Sequence, residues 1–206
     1  MAETSPARIL TEARREFAQR GFAAARLQDI AARAELSHPT LLYHFGSKEG
    51  LYAAVIEQAV SDWAETTSEA ITTGLEGFEQ VAALIDAGFE FFASHRDFVV
   101  IVRREAIEGG GRLEQAMADH MRPFLDAAVD FLRREMAAGR LREHDPVEVM
   151  QLCYSALLTY FSDARFRARL LDEDPLTPVA GRHFRDALTG ILRAALEPAP
   201  ALEARR

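Results

Sequence analysis

Between residues 37 and 48 the chain carries Ser37, His38, Pro39, Thr40, Tyr43, His44 and Lys48, a dense run of hydroxyl, imidazole and ammonium groups. Such groups donate hydrogen bonds to phosphate oxygens and reach the donor and acceptor atoms on base edges. A helix start beside Lys48 adds backbone N–H groups that attract an anion. Just upstream, Arg26 supplies a cationic fork and Gln28 the only amide of the two short helical stretches nearby. The chain contains no asparagine, so bidentate reading of adenine by that residue is ruled out. Little other chemistry is on offer. Cys153 is the only cysteine, which excludes an internal disulfide and a cysteine-built zinc cage; on an apolar helical stripe it reads as a small hydrophobe. No phosphate loop ending in Lys and Ser/Thr, no nucleophile elbow and no paired-histidine zinc motif occurs, and Gly109 to Gly111 lead only into Arg112. No cofactor and no metal are expected, and an enzyme is the most remote reading.

The elements that must position these groups are helical. Ile9, Ala13 and Phe17 recur every four residues, Leu27, Ile30, Ala31 and Ala34 share a face, and Leu51, Val55 and Ala59 continue the pattern. Breaks at Gly21, Ser37 to Pro39, Gly46, Gly74 to Gly77, Gly109 to Gly111, Gly139 and Asp174 to Pro178 predict about nine helices and an all-α fold. Two starts carry capping chemistry: Asp145 before Pro146 and Glu148, and Ser47 before Lys48 and Glu49. Residues 27–34 and 38–44, joined by a turn at 35–37, have the helix-turn-helix layout. Ile30, Leu36, Leu41 and Phe45 can pack on Ile9, Ala13 and Phe17, leaving His38, Thr40, Tyr43 and His44 outward. The major groove of DNA admits such a helix, with Thr40, His38 and Pro39 placed to meet base edges. Pro123 falls inside a helical stretch and predicts a kink there.

Composition agrees. The chain has 206 residues, 49% hydrophobic and 27% charged, globular values that argue against wholesale disorder. The longest apolar run, Leu51 to Ile56, is far short of the roughly 20 residues of a membrane helix. No secretion signal opens the chain, so a cytoplasmic protein is expected. Residues 1–56 hold seven basic against six acidic side chains, so the remaining 150 residues, with 17 basic against 26 acidic, carry −9. An acidic body with a slightly basic end can present that end to a polyanion.

The run ILTEARREFAQRGFAAARLQDIAARAELSHPTLLYHFGSKEGLYAAV, Ile9 to Val55, resembles the DNA-binding domain of the tetracycline-repressor (TetR) family of bacterial transcription regulators. The resemblance rests on Phe17 with Gly21 and Phe22, Asp29-Ile30-Ala31, Ser37, Thr40-Leu41, His44-Phe45 and Ser47-Lys48-Glu49 before Leu51. Four positions depart from the family pattern: Ala25 and Arg26 stand where Ser or Thr usually caps the second helix, Glu35 replaces a turn glycine, and Leu42 precedes the tyrosine.

The resemblance implies a homodimer on a palindromic operator, a repressor, and release by a small-molecule effector, apolar or aromatic. It divides the chain into a DNA-binding domain over 1–46, a ligand-binding and dimerisation domain over 47–197 and a disordered tail over 198–206. The candidate ligand residues are Trp63, Phe89, Phe92, Phe98, Arg103, Met117, His120, Met121 and Phe124, with Glu105 as a further polar anchor; a plain core and a surface ion pair remain the alternatives. The helix from Lys48 is the expected lever between head and pocket. The candidate dimer residues are Met150, Cys153, Leu157, Phe161, Phe184, Leu188, Ile191 and Ala195, although both stripes could pack within one monomer. A helix-turn-helix regulator answering to a protein partner, or to no ligand, is the runner-up.

Overall fold

A computed structural model describes residues 5–108 and 111–198. Gly109 and Gly110 of the triple glycine, and the expected tail beyond Pro198, lie outside them. Among the described residues the helices are α1 (Ser5–Ala24), α2 (Leu27–Arg33), α3 (His38–Phe45), α4 (Lys48–Ile71), α5 (Gly77–Ser94), α6 (Arg96–Glu108), α7 (Gly111–Ala116), α8 (Arg122–Ala137), α9 (Pro146–Ser162), α10 (Ala164–Leu171) and α11 (Pro178–Leu196). A π turn, Met117–Met121, stands before α8. The all-α expectation holds; the break between α5 and α6 and the short α10 were not among the expected elements. None is long and apolar enough to cross a membrane.

The chain forms two compact units, the first running to Ala64 and resuming over Ser94–Arg122, the second over Glu65–Ala93 and from Pro123 onward. In the first, α1 packs on α2 and α6, and Ile9, Ala13, Phe17, Ile30 and Leu41 are buried. Gly21 interrupts α1 with φ 75 and ψ 169, a combination open essentially to glycine alone. A Cβ there would also lie 2.4 Å from the Arg104 guanidinium. Beyond the break Phe22 meets Tyr52 with their rings tilted and centroids 5.0 Å apart.

At Pro123 the expected break in helix regularity takes the form of a π segment. The π turn immediately ahead of it widens the helix where the pyrrolidine ring would meet the carbonyl four residues back, and Arg122 keeps helical φ/ψ.

The second unit buries Phe78, Val81 and Ile85 of α5 against Phe131 and Leu132 of α8, Leu141, Val149 of α9 and Leu192 and Leu196 of α11. Gly88 lets α9 close on α5, since a Cβ would sit 2.9 Å from Leu157 Cδ1. One polar knot is buried with them. Glu135 accepts the Gly77 N–H at 2.7 Å and the Arg140 Nε and Nη2 hydrogens at 2.6 and 2.7 Å. These hydrogen bonds, Arg140's foremost, hold its carboxyl below the ordinary glutamate value of 4.5. The resulting stabilisation is present above that value and is lost as pH falls through the lowered one. Glu135→Ala strands the buried Gly77 N–H and should cost about 1–3 kcal/mol in urea unfolding at pH 7. The difference from the parent should shrink towards pH 3.

Candidate nucleic-acid interface

The reading head is assembled by capping and by ion pairs within the first unit. Ser37 caps α3: its Oγ accepts the Thr40 N–H at 3.2 Å and lies 2.7 Å from Thr40 Oγ1. Gly46, with φ 71, closes the far end, its N–H bonding to Leu42 O. Leu41 is fully buried under the helix, while Tyr43 on the opposite face is 86% exposed with its ring edge-on to His44 at 5.4 Å. Pro39 and His44 are exposed; His38 and Thr40 are half-buried at the same end. The sequence-derived residues His38, Pro39, Thr40, Tyr43 and His44 thus all keep exposed surface on α3, while Phe45, expected in the core, is only half-buried.

Glu35 takes φ 57, the left-handed conformation that favours glycine. Arg8 of α1 compensates: its Nη2 donates to Ala34 O at 2.6 Å and pairs with Glu35 at 2.9 Å. The turn between the two short helices is thus clamped from α1. Arg26 occupies the N-cap of α2 without a side-chain cap bond, and its exposed guanidinium, like Gln28, points away from the core. Ala25, the other departure, is buried.

Lys48 is less available than its place in the sequence suggests. Its Nζ donates to Ala23 O at 2.9 Å and sits 5.0 Å over the Phe22 ring, tying α4 to the end of α1. Ser47 caps α4 through the Gly50 N–H at 3.1 Å. The backbone N–H of Glu49 and the Ser47 hydroxyl hold the Glu49 carboxyl below its ordinary value, so this helix start already carries an anion.

Sequence reasoning missed an acidic brace. Glu16, 1% exposed, accepts Arg33 Nη2 at 2.8 Å and Arg20 Nε at 3.2 Å, and its carboxyl also faces the Arg26 N–H at 3.4 Å. Glu12 pairs with Arg15 at 2.7 Å and Arg33 at 3.2 Å. The four-residue spacing of Glu12 and Glu16 on α1 was visible; the partner Arg33, on another helix, was not.

Downstream, the candidate ligand residues separate. Trp63 and Phe98 are buried in the first unit with ring centroids 6.4 Å apart, and Met117, His120 and Met121 belong to the π turn of the same unit. His120 Nε2 lies 2.5 Å from Glu57 Oε1, and its side chain is 30% exposed. Arg103 is half-buried in the same unit. Glu105 is no surface ion pair: it is 6% exposed and accepts the Tyr52 hydroxyl at 2.8 Å. Burial first, and this carboxylate second, push the Tyr52 hydroxyl well above its usual pKa. Phe89, Phe92 and Phe124 are buried in the second unit, where Phe89 joins Tyr160, Phe161 and Phe184 in one aromatic cluster.

The candidate dimer residues also divide. Leu157 and Phe161 are 4% and 8% exposed within the monomer, whereas Met150, Cys153 and Leu188 pack on its core and stay half-buried. Phe184 belongs to the aromatic cluster. Ile191 and Ala195 do face outward, with Val147 and Leu152 of α9 and Val179 of α11 exposed as well. Among the described residues no three His, Cys, Asp or Glu side chains converge as for a metal.

A clamped helix-turn-helix with an outward second helix, followed by a larger helical body, defines a DNA-binding regulator of transcription. The sequence model for bacterial regulatory proteins of the tetR family matches residues 9–55, and that for the tetracyclin repressor-like C-terminal domain matches residues 78–191. The chain belongs to the tetR family. The transcriptional repressor NicS of Pseudomonas putida is 24% identical over 155 residues, 71% of this chain and 72% of NicS. The ketosteroid transcriptional regulator KstR2 of Mycobacterium tuberculosis superposes with a TM-score of 0.77 at 20% identity, over 97% of this chain and 98% of KstR2. FadR of Bacillus subtilis, solved with stearoyl-CoA, gives 0.68 at 16% identity over 88% and 96%. At those identities the two structures speak for the fold alone.

Proposed function

We propose that the protein is a cytoplasmic repressor that binds a palindromic operator as a homodimer and is released by an apolar or aromatic small molecule. The observation that carries the DNA-reading part is the α3 face, where an 86% exposed tyrosine stands beside a Ser37-capped helix start while Leu41 is buried behind it. Tyr43 positions the head on phosphate, and Thr40 with His38 reads base edges. Selection of bound duplexes from a random pool should return two half-sites about 10–10.5 base pairs apart. Tyr43→Phe should weaken all sequences alike, whereas Thr40→Ala should shift the preference at one base pair by about 1–3 kcal/mol. Equal effects of both variants on selected and random DNA would contradict these roles.

The effector part draws on relatives: FadR was solved with stearoyl-CoA and KstR2 is named a ketosteroid regulator, both ligands with large apolar bodies. In this chain Trp63, Phe98, Met117 and His120 offer aromatic, sulfur and imidazole groups for such a body. Effector and operator must weaken each other by the same factor, about 1–3 kcal/mol for a typical switch. Trp63 is the only tryptophan, so its emission should change when a releasing ligand is titrated in. Unchanged emission, together with undiminished affinity in Trp63→Phe and His120→Ala, would remove these residues from the effector site.

A further inference from the structure

The first unit holds a cavity that neither the reading head nor the aromatic residues account for. Two helix faces line it with the same spacing: Ala7, Leu10, Thr11 and Arg14 on α1, then Val55, Gln58, Ala59 and Asp62 on α4, with His95 at one edge. The alanines leave the two faces apart, and the space between them is about 400 Å³, within the range of small-molecule sites.

Arg14 is the exception among the cations of α1. Arg8 pairs with Glu35, Arg15 with Glu12, and Arg20 with Glu16. Among the described residues no carboxylate or carbonyl pairs with the Arg14 side chain, and its Nε is buried with no hydrogen-bond partner. The Asp62 carboxylate across the cavity is not in ion-pair contact with it and accepts instead from Gln58 Nε2 at 2.6 Å. A guanidinium held in a semi-enclosed space, with its obvious acids engaged elsewhere, lacks one thing: an anion. The wall of Leu10, Val55 and Ala59 beside it suits an apolar body rather than a hydrated inorganic ion.

We infer that the α1–α4 cavity is a second ligand site, which takes a compact organic carboxylate with its charge on Arg14 and its apolar body against Leu10, Val55 and Ala59. The site is separate from the aromatic residues assigned to the apolar effector. Because Ala13 and Phe17, on the next faces of α1, support the reading helices, an occupant acts on the platform that carries them.

Sodium benzoate is the probe, with benzamide as its uncharged counterpart, and the full-length protein is titrated by calorimetry. Benzoate should bind one per chain in about the millimolar range or tighter, and benzamide should not. Arg14→Met should weaken benzoate by about tenfold to a hundredfold, and Arg14→Lys by less. A purely structural arginine would destabilise the fold on removal; here Arg14→Met removes an unpartnered N–H, so the ligand-free melting temperature should hold or rise. No saturable benzoate binding, equal binding of benzamide, or benzoate affinity unaltered by Arg14→Met would overturn the site. Operator DNA should change benzoate affinity, and benzoate operator affinity, by one common factor. Equal benzoate affinity with and without operator would overturn the regulatory half of the proposal.

Discussion

Raising the salt concentration from about 50 to 200 mM is expected to weaken operator binding on the order of a thousandfold. The loss arises because each phosphate neutralised by the protein releases a condensed counterion, and salt opposes that release. This chain makes the test sharp. Beyond residue 56 the chain carries −9 and contributes no attraction, and Arg8, Arg15, Arg20 and Arg33 are engaged by acids of the head itself. The response must come from a few groups, Arg26 and the remaining donors of Lys48 first among them, with the N-terminus of α3. Arg26→Ala should lower the slope of log affinity against log salt by about one per head and spare sequence preference. A flat salt response, measured by fluorescence anisotropy on a labelled duplex, would refute phosphate-led binding.

Ile191→Arg should yield a folded monomer whose affinity for the operator falls by about a thousandfold or more, to that of random DNA. Ile191 is 69% exposed on α11, so the substitution leaves the monomer's core untouched and circular dichroism should not change. In a dimer seam the same guanidinium would be desolvated without a partner. A single head grips one half-site, and the second half-site contributes only when a two-fold partner delivers it. Leu188 is a poorer probe, since it packs on the core of the second unit and its loss would mix unfolding with dissociation. Sedimentation velocity decides: a variant that stays dimeric places the seam elsewhere.

Local signals were legible in the sequence wherever one residue acts on its own neighbours. Asp145 caps α9 through the Val147 N–H at 2.9 Å, Ser47 and Ser37 cap their helices, and the breaks at Gly21 and Gly46 fall where glycine conformations occur. Contacts made across elements were not legible. Periodicity identified the apolar face of α9 but not its cover, and Leu157 and Phe161 turn out to be buried in the monomer against its own α5. Glu16 looked like one more surface acid until Arg33 and Arg20 closed over it. The π turn left no mark except Pro123 itself, whose demand for a wider helix can be met in more than one way.

Cys153 on α9 has a half-buried side chain, and desolvation pushes its thiol up to about 11. At neutral pH the nucleophilic thiolate is then rarer than at an exposed cysteine, so peroxides and maleimides react with it more slowly. The natural protein therefore comes ready for site-directed labelling. A single cysteine introduced at an exposed position outside both the reading face and the seam, such as Ile107, would take up a fluorophore or spin label selectively, without first removing the native thiol. Distances between paired labels could then follow the reading heads through operator binding and release.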